Sequence, residues 1–233
     1  MSDAAILPPH GSPLGVTSGL REFRAFWTCV LRPPPFPQAP RGDGHNVLVI
    51  PGFLAGDWTT ARLRRFLRGL GYHVETANIA FNAGPTTKML ARLDTALLRL
   101  AADGAPVSIV GQSLGGVLAR SLAARHAGKV RAVVTLGSPI RFPVTTPLQP
   151  FAALLAPFQD PGWLADRDHV TRAPGVPVTA IYSEDDGILD WRQCLQDETA
   201  ECRNVRISGA HTTMGSNPEA QRAMASALAQ VAA

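Results

Sequence analysis

The chain has 233 residues, a hydrophobic content of 45% and a formal net charge of +4. This length suits one domain rather than two, and the composition is that of a globular protein rather than a disordered one. Arginines cluster only between Arg62 and Arg68, on the polar side of a helical pattern. A solvated basic face explains this cluster better than an anionic surface does, so we expect no nucleic-acid partner.

Residues 1–44 are predicted to form a proline-rich N-terminal segment. Prolines rule out regular structure between residues 33 and 40, whereas 19–31 has the spacing of a short amphipathic helix docked on the core. A peripheral contact of this helix with lipid is the alternative. The absence of a signal-peptide pattern and of an apolar run of about 18 residues favours a cytoplasmic protein without a membrane span. Free thiols are expected, although Cys194 and Cys202 could pair across one loop.

From residue 46 onward, short apolar strands alternate with helical patterns. The strands are predicted at 47–50, 72–76, 107–110, 130–136, 178–182 and 203–207. The helices are predicted at 58–69, 86–102, 114–126 and 218–231. This alternation indicates an α/β fold whose mostly parallel sheet of about six strands is covered on both faces. Residues 45–233 are expected to form this domain.

One segment, 139–177, interrupts the alternation. It contains eight prolines and many large apolar side chains. Because a connection of this length inside a compact domain is usually functional, we predict a lid or cap insertion over the substrate site. Phe151, Leu155 and Phe158 are its predicted substrate-binding residues. The alternative is a packing element that does not contact the substrate.

The residues Gly111-Gln112-Ser113-Leu114-Gly115 lie between a predicted strand and a predicted helix. In that context the G-x-S-x-G pattern is typical of a nucleophile elbow, a tight turn that holds a serine hydroxyl clear of the backbone. The glycines leave space for the turn, and the positive end of the following helix favours developing negative charge. The pattern therefore predicts that Ser113 is a nucleophile, and an idle serine in a glycine-rich turn is the alternative.

A serine nucleophile needs a base, and the base needs an acid to orient it. In this arrangement the expected chain order is serine, then acid, then histidine. His211 follows the last predicted strand and precedes the last predicted helix, which suits the base. His169, inside the insertion, is its rival.

The acid is expected directly after the strand at 178–182. Three carboxylates are available there, Glu184, Asp185 and Asp186. Asp186 is favoured because Gly187 beside it allows a tight turn that directs the side chain back toward the sheet. Asp185 is the main alternative.

Acyl transfer also requires N–H groups that bind an oxyanion. One is expected at Leu114, directly after the serine, and the other in the loop that follows the first strand. Gly52 keeps the backbone of that loop open, so the N–H of Phe53 is the candidate. Leu54 is the alternative.

The segments VLVIPGFLAGDW, VSIVGQSLGGVLAR, TLGSP, YSEDDGILDW and SGAHTTMGSNP together resemble a bacterial α/β-hydrolase of the serine esterase and lipase group. The resemblance covers roughly residues 45–232. It implies an oxyanion hole at the PGF loop, which supports Phe53, and an acid before Gly-Ile, which supports Asp186. No strand is evident before residue 46, so we expect a minimal version of this fold that lacks the first two antiparallel strands. The chain departs from many lipases in having Pro51 where they have histidine.

The residues and the resemblance together predict a carboxylic ester hydrolase with the catalytic triad Ser113, Asp186 and His211. The expected substrate is a small-molecule acyl ester, and no cofactor or metal is expected. An acyltransferase with the same triad is one alternative, and a peptidase is another, although no amine-binding acidic pocket is evident. A non-catalytic binding protein of the same fold is the third, and the filled triad positions count against it.

Overall fold

A parallel sheet forms the centre of this computed structural model, which describes residues 16–230. Its strands are β1 (Asn46–Ile50), β2 (His73–Thr76), β3 (Val107–Gln112), β4 (Val130–Leu136), β5 (Val178–Ser183) and β6 (Cys202–Ile207). They lie in the order β2-β1-β3-β4-β5-β6, and every neighbouring pair is parallel. The predicted α/β class and the six strands are confirmed. Residues 1–15 of the predicted N-terminal segment lie outside the described residues.

Helices cover the sheet on both faces. They are α1 (Val16–Leu31), α2 (Ala61–Gly69), α3 (Thr87–Leu100), α4 (Leu114–Arg125), α5 (Gln149–Leu155), α6 (Pro161–Ala165), α7 (Asp168–Thr171) and α8 (Pro218–Gln230). α2 and α8 pack on one face, and α3 and α4 pack on the other. Within residues 16–230, no helix has both the length and the apolar composition needed to cross a bilayer.

Strand β1 shows why the central strands are apolar at most positions. Leu48 and Ile50 belong to the core cluster with α3 and α4, while Val47 and Val49 belong to the cluster with α2 and α8. All four are at most 1% exposed. Because successive side chains of a strand point to opposite faces, a strand between two helical layers needs an apolar residue at each position. The carboxyl ends of these parallel strands meet at one edge of the sheet.

The insertion 139–177 is anchored on both sides of α5, at Ile140 and through its later part. Arg120 on α4 is 1% exposed and donates to the carbonyls of Val170 at 2.6 Å and Arg172 at 2.9 Å. Trp163 and Val170 pack in an apolar cluster beside α4. In contrast, α5 has no buried side chain. The insertion therefore combines a fixed part with an exposed apolar helix.

Candidate active site

Ser113 has a strained backbone conformation at the junction of β3 and α4. Its φ of 52° and ψ of −124° are values that residues other than glycine rarely adopt. A Cβ atom on Gly111 would overlap the carbonyl oxygen of Gly115, and one on Gly115 would overlap that of Ile50. The two glycines are thus required by the close approach of β1, β3 and α4. This is the geometry expected of the predicted elbow.

His211 and Asp186 contact each other where β6 and β5 end. Nδ1 of His211 is 2.6 Å from Oδ2 of Asp186, and the two side chains are 7% and 1% exposed. The side-chain amide of Gln112 donates to the carbonyl of His211 at 3.3 Å. This hydrogen bond connects His211 to the residue that precedes Ser113. With Nδ1 bound to the acid, Nε2 is the nitrogen that can act on a serine hydroxyl.

The structure brings one of the three candidate carboxylates to His211, and this is Asp186. The Asp185 carboxylate instead accepts a backbone N–H of the loop after β6 at 3.0 Å. The Glu184 carboxylate pairs with Arg206 at 3.4 Å on the surface. The geometry therefore favours Asp186 over both alternatives as the orienting acid.

The rival base His169 lies in a different environment. Its ring packs edge-on against that of Trp163, with 5.4 Å between the ring centroids. Both residues belong to the anchored part of the insertion, and burial lowers the pKa of His169. His211, not His169, is the histidine that contacts Asp186.

The electrostatic environment of His211 raises its pKa above the ordinary value of 6.5. Burial acts to lower this pKa, but the charge and hydrogen bond of Asp186 and the charge of Glu22 outweigh burial. Stabilising the imidazolium in this way suits a general base, because the base carries a positive charge after it takes the proton.

The loop after β1 lies directly against Ser113. A Cβ atom on Gly52 would be 3.2 Å from Cβ of Ser113. The N–H of Leu54 already donates to a backbone carbonyl at 2.9 Å. The N–H groups of Phe53 and Leu114, in contrast, donate to no other residue within the described part of the chain. The geometry thus favours Phe53 over Leu54 as the second oxyanion donor.

Asn82 holds this loop in place, and sequence reasoning missed it. Its side chain is fully buried, donates to the carbonyl of Pro51 at 2.8 Å and accepts the N–H of Gly84 at 3.0 Å. Its backbone N–H donates to the carbonyl of Ala55 at 2.7 Å. The only signal in the sequence is an asparagine between two apolar patterns, which ordinarily indicates a turn.

A second Asp–His–Ser array lies at the opposite edge of the sheet. Nδ1 of His45 is 2.5 Å from Oδ1 of Asp43, and Nε2 of His45 is 2.8 Å from Oγ of Ser108. Ser108 is 0% exposed and lies near the amino end of β3. A substrate cannot reach its hydroxyl, so this array connects structural elements and is not a catalytic site.

The predicted substrate-binding residues lie on α5 and on the turn that follows it. Phe151 is 52% exposed, Phe158 is 68% exposed, and Leu155 is partly buried. The neighbouring Gln159 donates to the carbonyl of Ala83 at 2.8 Å, which links the insertion to the loop between β2 and α3 that contains Asn82. The role of the three apolar residues in substrate binding stays a prediction.

Comparisons with known proteins agree with this architecture. Residues 67–176 match the family model of the alpha/beta hydrolase fold. Together with the order of the parallel strands, this match identifies the fold of the chain as that of the α/β hydrolases. A search of curated protein sequences gave no match.

Solved structures share the fold at low sequence identity. The monoacylglycerol lipase of Paleococcus ferrophilus is 15% identical with a TM-score of 0.60, and the match covers 83% of this chain and 97% of that one. A metagenome-derived lipolytic enzyme is 15% identical with a TM-score of 0.59, covering 82% and 96%. A thioesterase domain from the curacin biosynthetic pathway is 16% identical with a TM-score of 0.54, covering 82% and 92%.

Proposed function

We propose that this protein is a carboxylic ester hydrolase that forms an acyl-enzyme on Ser113. The contact between His211 and Asp186, at the same sheet edge as the strained turn of Ser113, carries the proposal. Similar structures include a lipase and a lipolytic enzyme, which supports ester hydrolysis within the functions of this fold.

In the proposed reaction, Oγ of Ser113 attacks the ester carbonyl carbon while Nε2 of His211 takes the hydroxyl proton. The N–H groups of Phe53 and Leu114 bind the oxyanion of the tetrahedral intermediate. His211 then gives its proton to the leaving alcohol, and the acyl group stays on Ser113. A water molecule that is deprotonated by His211 attacks this acyl-enzyme and releases the carboxylic acid. Asp186 holds Nδ1 of His211 throughout.

A small-molecule acyl ester is the proposed substrate, and the insertion 139–177 is proposed to cover it. Phe151, Leu155 and Phe158 present apolar surface on a segment linked to the loop between β2 and α3, whose Asn82 donates to the carbonyl of Pro51 after β1. Apolar surface of this kind suits an acyl chain, because its burial on binding is favourable. An acyltransferase would share the acyl-enzyme, and product analysis with an added alcohol acceptor separates the two activities.

A peripheral lipid contact of α1 stays a prediction, as does the cytoplasmic location. The outer face of α1 carries the exposed apolar side chains Leu20, Phe23, Trp27 and Leu31. Its single acidic residue, Glu22, is buried on the opposite side. An exposed apolar stripe on a helix is a feature of interaction surfaces, which supports the contact.

The test of the proposal uses the two serines of the two arrays. Ser113→Ala should lower the hydrolysis of p-nitrophenyl esters by at least about a thousandfold, because triad members act as a unit. Ser108→Ala is the matched control and should hydrolyse esters at a rate close to that of the parent. A fluorophosphonate should label the parent and the Ser108 variant at Ser113. Labelling at another residue, or full activity in the Ser113 variant, would contradict the proposal.

A further inference from the structure

The carboxylate of Glu22 lies buried between the two loops that carry the proposed acid and base. Glu22 belongs to α1 and is 2% exposed. Its Oε1 accepts the N–H of Gly187 at 2.8 Å and the N–H of His211 at 2.9 Å. Its Oε2 accepts the N–H and the hydroxyl of Thr212, both at 2.9 Å. One side chain from outside the sheet thus holds both loops.

The set of partners suits an ionised carboxylate. Three of the four groups around the Glu22 oxygens are backbone N–H groups, which can only donate, and the hydroxyl of Thr212 can donate as the fourth. Burying a carboxylate is unfavourable unless donors replace the lost water, and charge-assisted hydrogen bonds do so most strongly. The site is therefore built to keep a negative charge beside His211.

The residue after the proposed acid is a glycine because α1 lies against it. A Cβ atom on Gly187 would be 2.9 Å from Cγ of Glu22 and 3.1 Å from the carbonyl oxygen of Ser18. The sequence predicts a tight turn at Gly187. In the structure this glycine provides the space in which Glu22 reaches the loop of Asp186.

We propose that Glu22 is a positioning residue for the pair formed by Asp186 and His211. This inference rests on the proposed function of the site. The carboxylate of Glu22 accepts hydrogen bonds from the N–H of Gly187, which follows Asp186, and from the N–H of His211. It therefore sets the distance between the two loops that carry the acid and the base. It also adds a second negative charge that stabilises the imidazolium formed when His211 takes the proton of Ser113. On this proposal, α1 helps to hold the catalytic residues in place.

Few charged groups face His211. Asp186 faces it from the loop after β5, and Glu22 faces it from α1. The loop after β3 presents the uncharged amide of Gln112, and the loop after β4 presents the backbone of Gly137. The remaining residues of the turn at 211–216 carry no charge. Removing the charge of Glu22 should therefore lower the pH at which His211 loses its proton.

The experiment compares two substitutions of Glu22 with one at Glu219. Glu22→Gln should lower kcat by about ten- to a hundredfold with little change in KM, because it disturbs alignment rather than binding. It should also move the acid limb of the kcat/KM profile to lower pH. Glu22→Asp keeps the charge, so it should lower kcat without moving the limb.

Glu219→Gln is the matched control. Glu219 is an exposed carboxylate that accepts the N–H of Ser208, in the same loop as His211. Its substitution should leave kcat and the acid limb close to those of the parent. If Glu22→Gln keeps the parental kcat and an unmoved acid limb of the kcat/KM profile, the proposal is overturned. The proposal is also overturned if Glu219→Gln changes kcat and the acid limb as much as Glu22→Gln does.

Two measurements separate this proposal from the proposed function. A parent that neither hydrolyses esters nor reacts with the fluorophosphonate at Ser113 refutes the proposed function. A reactive parent together with a Glu22→Gln variant that is labelled at the parental rate refutes the positioning role. If Glu22→Gln does not fold, the positioning role is tested in Glu22→Asp instead. The measurement is the protection of the Gly187, His211 and Thr212 amides from hydrogen exchange, compared with that in the parent. Unchanged protection of these amides would overturn the proposal.

Discussion

At the scale of single residues, the two Asp–His–Ser arrays differ in what surrounds each serine. Ser113 is partly exposed, has a strained backbone and lies beside the N–H groups of Phe53 and Leu114, which have no acceptor among residues 16–230. Ser108 is fully buried beneath His45. Because hydrolysis requires access for an ester and donors for an oxyanion, contact among the three residue types is not sufficient to define a catalytic site.

The choice of acid can be tested by two neighbouring substitutions. Asp186→Asn should lower kcat by at least about a thousandfold, because an amide in contact with Nδ1 favours the wrong tautomer of His211. Asp185→Asn should have a much smaller effect, since its carboxylate accepts a backbone N–H of the loop after β6 and does not contact His211. Steady-state hydrolysis of a p-nitrophenyl ester measures both. Equal losses in the two variants would contradict the assignment of Asp186.

The sequence indicated the proposed triad but could not indicate Glu22. The G-x-S-x-G pattern and the chain order of acid and base are local signals, so they can be recognised without the fold. Glu22 bonds to Gly187 and His211, which lie 165 and 189 residues further along the chain. No periodicity connects residues so far apart. The only hint of its role in the sequence is that Glu22 is the one acidic residue of α1.

At the scale of secondary-structure elements, the strands were predictable and the helices inside the insertion were not. Helices on both faces require an apolar residue at nearly every position of the central strands, which gives a distinct pattern. The helices α5, α6 and α7 have seven, five and four residues. Elements of this length are too short to show helical periodicity, and their stability depends on tertiary contacts such as those of Arg120.

The exposed part of the insertion leads to a prediction about substrate preference. The parent should prefer medium or long acyl esters to acetate, since each buried methylene adds about 0.8 kcal/mol of binding. Phe151→Ser, Leu155→Ser and Phe158→Ser should each reduce this preference more than they reduce acetate hydrolysis. The measurement is kcat/KM across a series of p-nitrophenyl esters from acetate to palmitate.

Leu98→Ser on α3 is the control for this series. Leu98 is 43% exposed, and it lies near the end of α3 that contacts the amino end of β1. Its substitution removes exposed apolar surface at the edge of the sheet away from the proposed site. If the insertion variants and the parent share one chain-length profile, 139–177 is a packing element and the acyl group binds elsewhere.

At the scale of the whole molecule, loops from four strands and one N-terminal helix converge on a buried histidine. Folding places His211 between Asp186 and Glu22, and the pKa of His211 is raised above 6.5 as a result. The folded protein therefore binds this proton more tightly than the unfolded chain does. The stabilisation is fully present below the unfolded pKa and is lost as the pH rises through the folded pKa.

Catalysis has the opposite dependence on pH, because a general base must be unprotonated before it can take the proton of Ser113. We therefore expect kcat/KM to rise over the same interval above pH 6.5 in which His211 ceases to stabilise the fold. The measurement is the free energy of unfolding of the parent and of His211→Gln in urea at several pH values. Groups such as Asp43, which titrate in both proteins, cancel in the difference between the two. The unfolding free energy of the parent minus that of His211→Gln should fall as the pH rises, while kcat/KM of the parent increases. If this difference in unfolding free energy grows over the same interval, folding lowers the pKa of His211 rather than raising it.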